Sequence, residues 1–258
     1  MGRLKTKIKL LLQQQEIYIY RRPPRGANLA FDLRKYCPRQ SFNILFDIGA
    51  NIGQTTAEFL GYFPKARIWS FEPSGELYRE LGRRFANDRR VTCENIALGS
   101  AEGEARLNHT TVKTMFHLAD AATEPPPDLL TGAFESVKIT TLDSYCQTAG
   151  IAFIDFLKID TEGHDLEVLR GAQRLLSEGK IAFVQCECGM NPENKFHRSF
   201  EETKVILERF GYRAFGFYEQ IDEMFRQMPN LRRANVVFIS AAASRSVGPA
   251  LAGADTAA

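Results

Sequence analysis

Short, dense apolar runs alternate with segments of helical spacing along most of the chain. The pattern predicts buried strands over 43–47, 67–72, 91–97, 153–160 and 181–186, with helices over 27–36, 55–63, 75–85, 165–176 and 200–210. On the 165–176 helix, Leu166, Leu169, Ala172 and Leu176 share one face. A further short helix opens over 142–146, and strands over 213–218 and 235–240 close the order. This βαβα rhythm builds a parallel sheet with helices on both faces, and the closing pair is expected at an antiparallel edge. The stretch 106–138 is less regular and holds Pro125, Pro126 and Pro127. Its core, 108–136, is long for a connection in a compact domain and reads as a lid or acceptor-binding loop, or else as a disordered insertion.

The first strand stops in Asp47-Ile48-Gly49-Ala50-Asn51-Ile52-Gly53, an acid and two glycines before a helix. That junction, at the carboxyl edge of an open α/β sheet, is where nucleotide-like ligands bind. A pyrophosphate fingerprint wants a glycine where this chain has Asn51, so a nucleoside without pyrophosphate fits better, and S-adenosylmethionine is one. Its ammonium can face Asp47. Gly49 and Gly53 keep the tight turn and the close helix–strand packing. Glu72 ends the second strand 19 residues after Gly53, the distance at which such a sheet reaches ribose hydroxyls.

Composition is that of an ordinary globular chain of 258 residues, with a net charge of +2. The charge is uneven. Residues 1–39 hold ten Lys or Arg against Glu16 and Asp32, so an arm at +8 precedes a remainder at −6. Such an arm could lie on an anionic membrane surface or meet nucleic acid, or simply be a solvated helix with Leu4, Ile8, Leu11 and Leu12 packed inward. No apolar stretch reaches membrane-spanning length, and the N-terminus lacks the pattern of a secretory signal. Five cysteines without C-x-x-C spacing suggest neither a disulfide framework nor a zinc site, and fit a reducing cytoplasm. Cys186 and Cys188 would share one strand face as small buried hydrophobes. Residues 241–258, rich in Ala, Gly and Ser, read as a disordered tail.

Several blocks together resemble the FkbM-type methyltransferases, which use S-adenosyl-L-methionine on a Rossmann-like methyltransferase fold. The blocks are FDIGANIG at 46–53, FEP at 71–73, NIALG at 95–99, TTLDSY at 140–145 and DFLKIDTEGHDLEVLRGA at 155–172. The resemblance implies an α/β class I fold, a mostly parallel seven-stranded sheet with one antiparallel strand and helices on both faces. It implies cofactor contacts from Asp47, Gly49, Asn51, Gly53, Glu72 and Asp160, with Asn95 and Ala97 at an adenine pocket. It also implies methyl transfer to a hydroxyl of a sugar, glycan, glycolipid or small metabolite, by a domain spanning 40–240 between the basic arm and the tail.

The block at 155–172 also carries chemistry of its own. Lys158 and Asp160 are two apart on a strand, so both leave the same face. Glu162, Gly163, His164 and Asp165 then open a helix whose dipole stabilises the carboxylates, with Thr161 or Asp160 capping; for Asp165 that structural role suffices. Methyl transfer from a sulfonium needs in-line alignment, and a base removing the hydroxyl proton adds ~10²–10⁴-fold. Asp160, Glu162 and His164, with Lys158 beside them and Glu187 at the end of the next strand, form the candidate catalytic set. A divalent-cation site from Asp160, Glu162 and Glu187 is an alternative that no dedicated carboxylate loop demands. Base methylation is disfavoured by the Asp160-Thr161-Glu162-Gly163 sequence, which leaves RNA ribose methylation and a non-catalytic nucleoside-binding module as the rivals, with a nicotinamide enzyme more remote.

Overall fold

The computed structural model describes residues 20, 22–110, 116–118, 130–194, 196–223 and 229–246. Most of the basic arm and residues 247–258 therefore lie outside the described residues. In chain order the described elements are α1 (Leu29–Tyr36), β1 (Ile44–Ile48), α2 (Gln54–Tyr62), β2 (Arg67–Phe71), α3 (Gly75–Arg84), β3 (Val91–Glu94), β4 (Ala97–Leu98), β5 (Gly103–Thr110), β6 (Phe116–Leu118) and β7 (Leu130–Thr140). They continue with α4 (Leu142–Ala149), β8 (Ile154–Ile159), α5 (Asp165–Arg170), α6 (Gln173–Ser177), β9 (Ile181–Gly189), α7 (Phe200–Arg209), β10 (Arg213–Asp222), β11 (Leu231–Ile239) and α8 (Ala241–Ser246).

Seven strands form the main sheet in the order β10-β11-β9-β8-β1-β2-β3. β11 runs antiparallel to both of its neighbours while the other pairs are parallel. This is the Rossmann-like methyltransferase sheet that the sequence resemblance implies. The chain winds outward from β1 through β2 and β3, then returns to β8 on the other side, so the strand order reverses between β1 and β8. Ligands of open α/β sheets bind at that reversal, outside the carboxyl ends.

Each face of the sheet has its own core, because successive strand residues point to opposite sides. Phe46, Phe71, Leu157, Val184 and Phe238 pack with Leu142 of α4, Leu166 and Leu169 of α5 and Leu207 of α7. Leu45, Ile68, Phe156, Phe183 and Val237 pack on the opposite face with Leu33 of α1, Phe59 of α2 and Ala243 of α8. Cys186 and Cys188 are free thiols, both buried in the first cluster as their spacing predicts.

Four departures from the predicted elements have physical causes. The strand expected over 91–97 breaks after Glu94, where the Asn95 side chain donates to the carbonyls of Glu72 and Pro73 at 2.9 Å each and the chain leaves the sheet. The stretch expected to be an irregular loop builds a second sheet in the order β4-β7-β5-β6, in which β5 and β7 form a long antiparallel pair. Among the described residues Ala97, Leu107, Leu118 and Val137 form its buried cluster, a small apolar set that betrays no strands in the sequence. The helix expected over 165–176 divides into α5 and α6 around Gly171, whose hypothetical Cβ would stand 2.0 Å from the Gly99 carbonyl oxygen. Finally, the first part of the expected tail is α8, begun by the Ser240 hydroxyl accepting from Ala243 N at 3.1 Å and anchored by buried Ala243. Among the described residues no helix is long and apolar enough to cross a membrane.

Candidate active site

A cavity of about 590 Å³ opens at the reversal point, within the size range of small-molecule sites. Its floor begins in the turn after β1. Gly49 has φ +74°, its N–H and that of Ala50 donate to the Phe71 carbonyl, and a Cβ on it would meet the Asp160 carbonyl oxygen at 1.9 Å. Glycine is thus required both by conformation and by the contact between the ends of β1 and β8. Asn51 also has positive φ, at +53°, a conformation that asparagine tolerates better than most residues. Gly53, at φ +85°, faces Leu81 and Phe85 of the α3 region, the close packing its position predicts.

Glu72 stands across the turn from β1. Its Oε2 accepts from Asn51 N at 2.8 Å and its Oε1 from Ser74 N at 2.9 Å, which lock the carboxylate at the cavity wall. Burial pushes its pKa up to about 7, although those two N–H groups and Lys158 pull the other way. Ile96, Ala97 and Leu98 line the adjoining wall, and Leu107 and Leu118 of the small sheet cover it. Asn95 is exposed and does not line the cavity; it acts by holding the backbone after Glu72 in place.

A polar row crosses the floor, with Lys158 and Gln185 lining the cavity and Ser70 and Asp47 set behind its wall. Ser70, Asp47, Lys158 and Gln185 are in register across β2, β1, β8 and β9. Asp47 is fully buried and is not part of the cavity wall: its Oδ2 accepts from Thr56 Oγ1 at 2.7 Å and its Oδ1 lies 3.1 Å from Lys158 Nζ. Its sequence-predicted place against a ligand ammonium is therefore corrected, because both oxygens face protein partners. Lys158 Nζ also lies 3.3 Å from Asp160 Oδ2 and donates to the Gly49 carbonyl at 3.2 Å. Burial alone would lower its pKa, but Asp47 and Asp160 raise it above the ordinary lysine value, which favours the charged ammonium between the two carboxylates.

Asp160, Thr161 and Glu162 carry the wall past the end of β8. Glu162 sits at φ +50° and burial pushes its carboxyl up to about 7, reinforced by Asp160. His164 is buried, outside the cavity wall, with Nε2 3.0 Å from where a Cβ on Gly99 would stand, so it is corrected from candidate base to packed residue at the start of α5. Asp165 is structural as expected, its Oδ2 accepting from Thr161 Oγ1 at 3.1 Å. Glu187 lines the cavity, with Oε2 2.6 Å from His197 Nε2 and Oε1 paired with Arg233.

Several lining residues escaped the sequence reading: Gln54, Glu58, Gln185, Glu219, Arg233 and Asn235. The available signal was polar residues at every second position of otherwise apolar strands, Gln185 with Glu187 on β9 and Arg233 with Asn235 on β11. Among the described residues no three His, Cys, Asp or Glu side chains are placed to hold a metal ion together.

Comparison with known proteins gives concordant results. The family model described as methyltransferase FkbM domain matches residues 47–214. A hexuronic acid methyltransferase, AglP, of Haloferax volcanii is 24% identical over 177 residues, covering 64% of this chain and 64% of the relative. A 2-O-methyltransferase, NoeI, of Sinorhizobium fredii is 22% identical over 151 residues, covering 55% of this chain and 62% of the relative. Each match thus spans less than two thirds of the relative's length. Among solved structures, the magnesium protoporphyrin IX methyltransferase of Synechocystis PCC 6803 aligns with a TM-score of 0.45 at 10% identity, over 82% of this chain and 75% of that one.

Proposed function

Because this chain belongs to the FkbM methyltransferase family, we propose that it moves the methyl group of S-adenosyl-L-methionine to a hydroxyl of a sugar, in a glycan, a glycolipid or a small metabolite. One observation carries the reading. A single cavity joins the Gly49–Asn51 turn, Glu72 and Ala97 on one side to Asp160, Glu162 and Glu187 on the other.

The first group suits the nucleoside. Glu72 offers its remaining lone pairs to ribose hydroxyls, Ile96, Ala97 and Leu98 face the adenine, and the backbone of the turn receives the amino-acid end. The second group faces the acceptor. Its carboxylates favour a sulfonium nearby and supply candidates for the proton of the incoming hydroxyl, while the cavity aligns oxygen, methyl carbon and sulfur. The sugar assignment draws on the relative named a hexuronic acid methyltransferase, and the hydroxyl on the other, a 2-O-methyltransferase. Five free thiols among the described residues support a reducing cytoplasm as the site of action.

Calorimetry with S-adenosylmethionine, S-adenosylhomocysteine and NAD tests the nucleoside. Binding of NAD with no response to the other two overturns the reading. Transfer of labelled methyl into glycans, RNA and small metabolites, with Asp160→Ala as control, then identifies the acceptor. A label that enters RNA and spares carbohydrate replaces the sugar by a ribose.

A further inference from the structure

Glu187 on β9 meets His197, which lies just before α7, and the network around the imidazole fixes where its hydrogens are. The Asn194 side-chain oxygen accepts from Phe196 N at 3.0 Å and from His197 N at 3.2 Å, while its nitrogen donates to the Arg232 carbonyl at 3.0 Å. Asn194 therefore presents an acceptor to His197 Nδ1, 3.1 Å away, and Nδ1 must carry the hydrogen. Nε2 is left facing Glu187 Oε2 at 2.6 Å. Two lone pairs do not hold that separation, so this is the geometry of the pair once a proton sits between carboxylate and imidazole.

Glu187 is also well placed to receive a proton from the cavity. It is in register with Asn235 on β11 and follows Cys186, the partner of Ile159, so it stands beside Asp160 at the carboxyl edge. Arg233 holds its other oxygen and keeps the carboxylate aimed. Asp160, by contrast, is tied to Lys158.

We propose that Glu187 is the catalytic base that takes the acceptor hydroxyl's proton, with His197 the positioning residue that receives it at Nε2. The assignment rests on the methyl-transfer reading. The acceptor oxygen forms its bond to the methyl carbon, the carbon–sulfur bond breaks with its electron pair going to sulfur, and the sulfonium becomes a neutral thioether. The hydroxyl proton passes to Glu187 and on to His197, so an ionised carboxylate beside a neutral imidazole becomes the proton-sharing pair described above. Burial holds His197 below the usual imidazole range, against the pull of Glu162, Asp165 and Asp160, while Arg232 acts in the same direction as burial. The neighbouring Arg198 is turned to the Gly163 carbonyl and to Glu202, and does not compete for the imidazole.

The test uses the full chain with S-adenosylmethionine and an acceptor that the wild type methylates. Glu187→Gln is expected to lower kcat by ~10²-fold or more, the low end of general-base effects, with nucleoside affinity within about threefold of wild type. His197→Gln is expected to displace the acidic limb of the kcat–pH profile by more than about half a unit. A Glu187→Gln enzyme within about threefold of wild-type kcat, or an unmoved limb in His197→Gln, overturns the assignment while leaving methyl transfer intact. Should either variant fail to fold, nitrogen-15 NMR of the wild type decides: a neutral His197 protonated at Nδ1 supports the pair, and one protonated at Nε2 overturns it. A wild type that binds no methionine nucleoside overturns the underlying reading and the assignment with it.

Discussion

Asp47 and Lys158 are bound to each other at the floor of the cavity, Oδ1 to Nζ at 3.1 Å, with both side chains buried. The ammonium reaches on to Asp160 and to the Gly49 carbonyl, so one cation ties the ends of β1 and β8 together. Removing either partner strands a buried charge. Lys158→Met is expected to cost about 3–5 kcal/mol, and the double variant Asp47→Leu with Lys158→Met to recover much of that loss, measured by urea denaturation. A double variant no more stable than Lys158→Met would deny the coupling.

Gly49→Ala is expected to damage fold and binding together. Positive φ alone costs roughly 1–2 kcal/mol for a residue with a Cβ, and the overlap with the Asp160 carbonyl forces β1 and β8 apart. Denaturation should register at least that loss, and calorimetry a large fall in nucleoside affinity. Wild-type affinity in Gly49→Ala would mean the turn does not form the floor.

Glu72 gives a pH dependence with a definite sign. Its carboxyl, near 7 when folded and near 4.5 when unfolded, keeps its proton better in the native chain. This group's contribution to the stability of the ligand-free protein is therefore full below pH about 4.5 and falls as pH rises towards 7, by up to roughly 3 kcal/mol. Glu72→Gln should flatten that decline in thermal-melting curves taken across pH. Ligand affinity should move the opposite way in the wild type, strengthening as pH rises through 7 and Glu72 becomes a full acceptor for ribose hydroxyls. Parallel wild-type and variant melting curves would remove Glu72 as the cause.

The Asp143 carboxylate caps α6 from α4, its two oxygens accepting from Arg174 N at 2.8 Å and Leu175 N at 3.0 Å. Asp143→Ala should cost ~1 kcal/mol in denaturation with nucleoside affinity unchanged. A selective loss of binding would give this residue a part in the site.

What could be read from the chain was what is local in it. The turn at 47–53 and the acid at 72 announce themselves because glycine and carboxylate positions follow from one strand–turn–helix unit and the next strand. Lys158 with Asp160 follows from strand periodicity in the same way. The Glu187, His197 and Arg233 cluster draws on β9, the segment before α7 and β11, and only sheet order brings those together. His164 misled because its type suggested a base, whereas its burial depends on Gly99, a residue 65 positions earlier. β5 and β7 stayed hidden because they bury little, Leu107 from one and Val137 from the other, so their short polar–apolar alternations stand out weakly from a loop.

The small sheet that covers the cavity leaves the main chain path and returns at almost one point: Leu98 pairs with Thr140, and Gly99 N donates to the Thr140 carbonyl at 2.9 Å. A segment whose entry and exit touch behaves as a cartridge. Its length can be exchanged with little entropic penalty, since closing the loop is already provided for by the Leu98–Thr140 clasp, provided that Leu107 and Leu118 keep their place over Ala97.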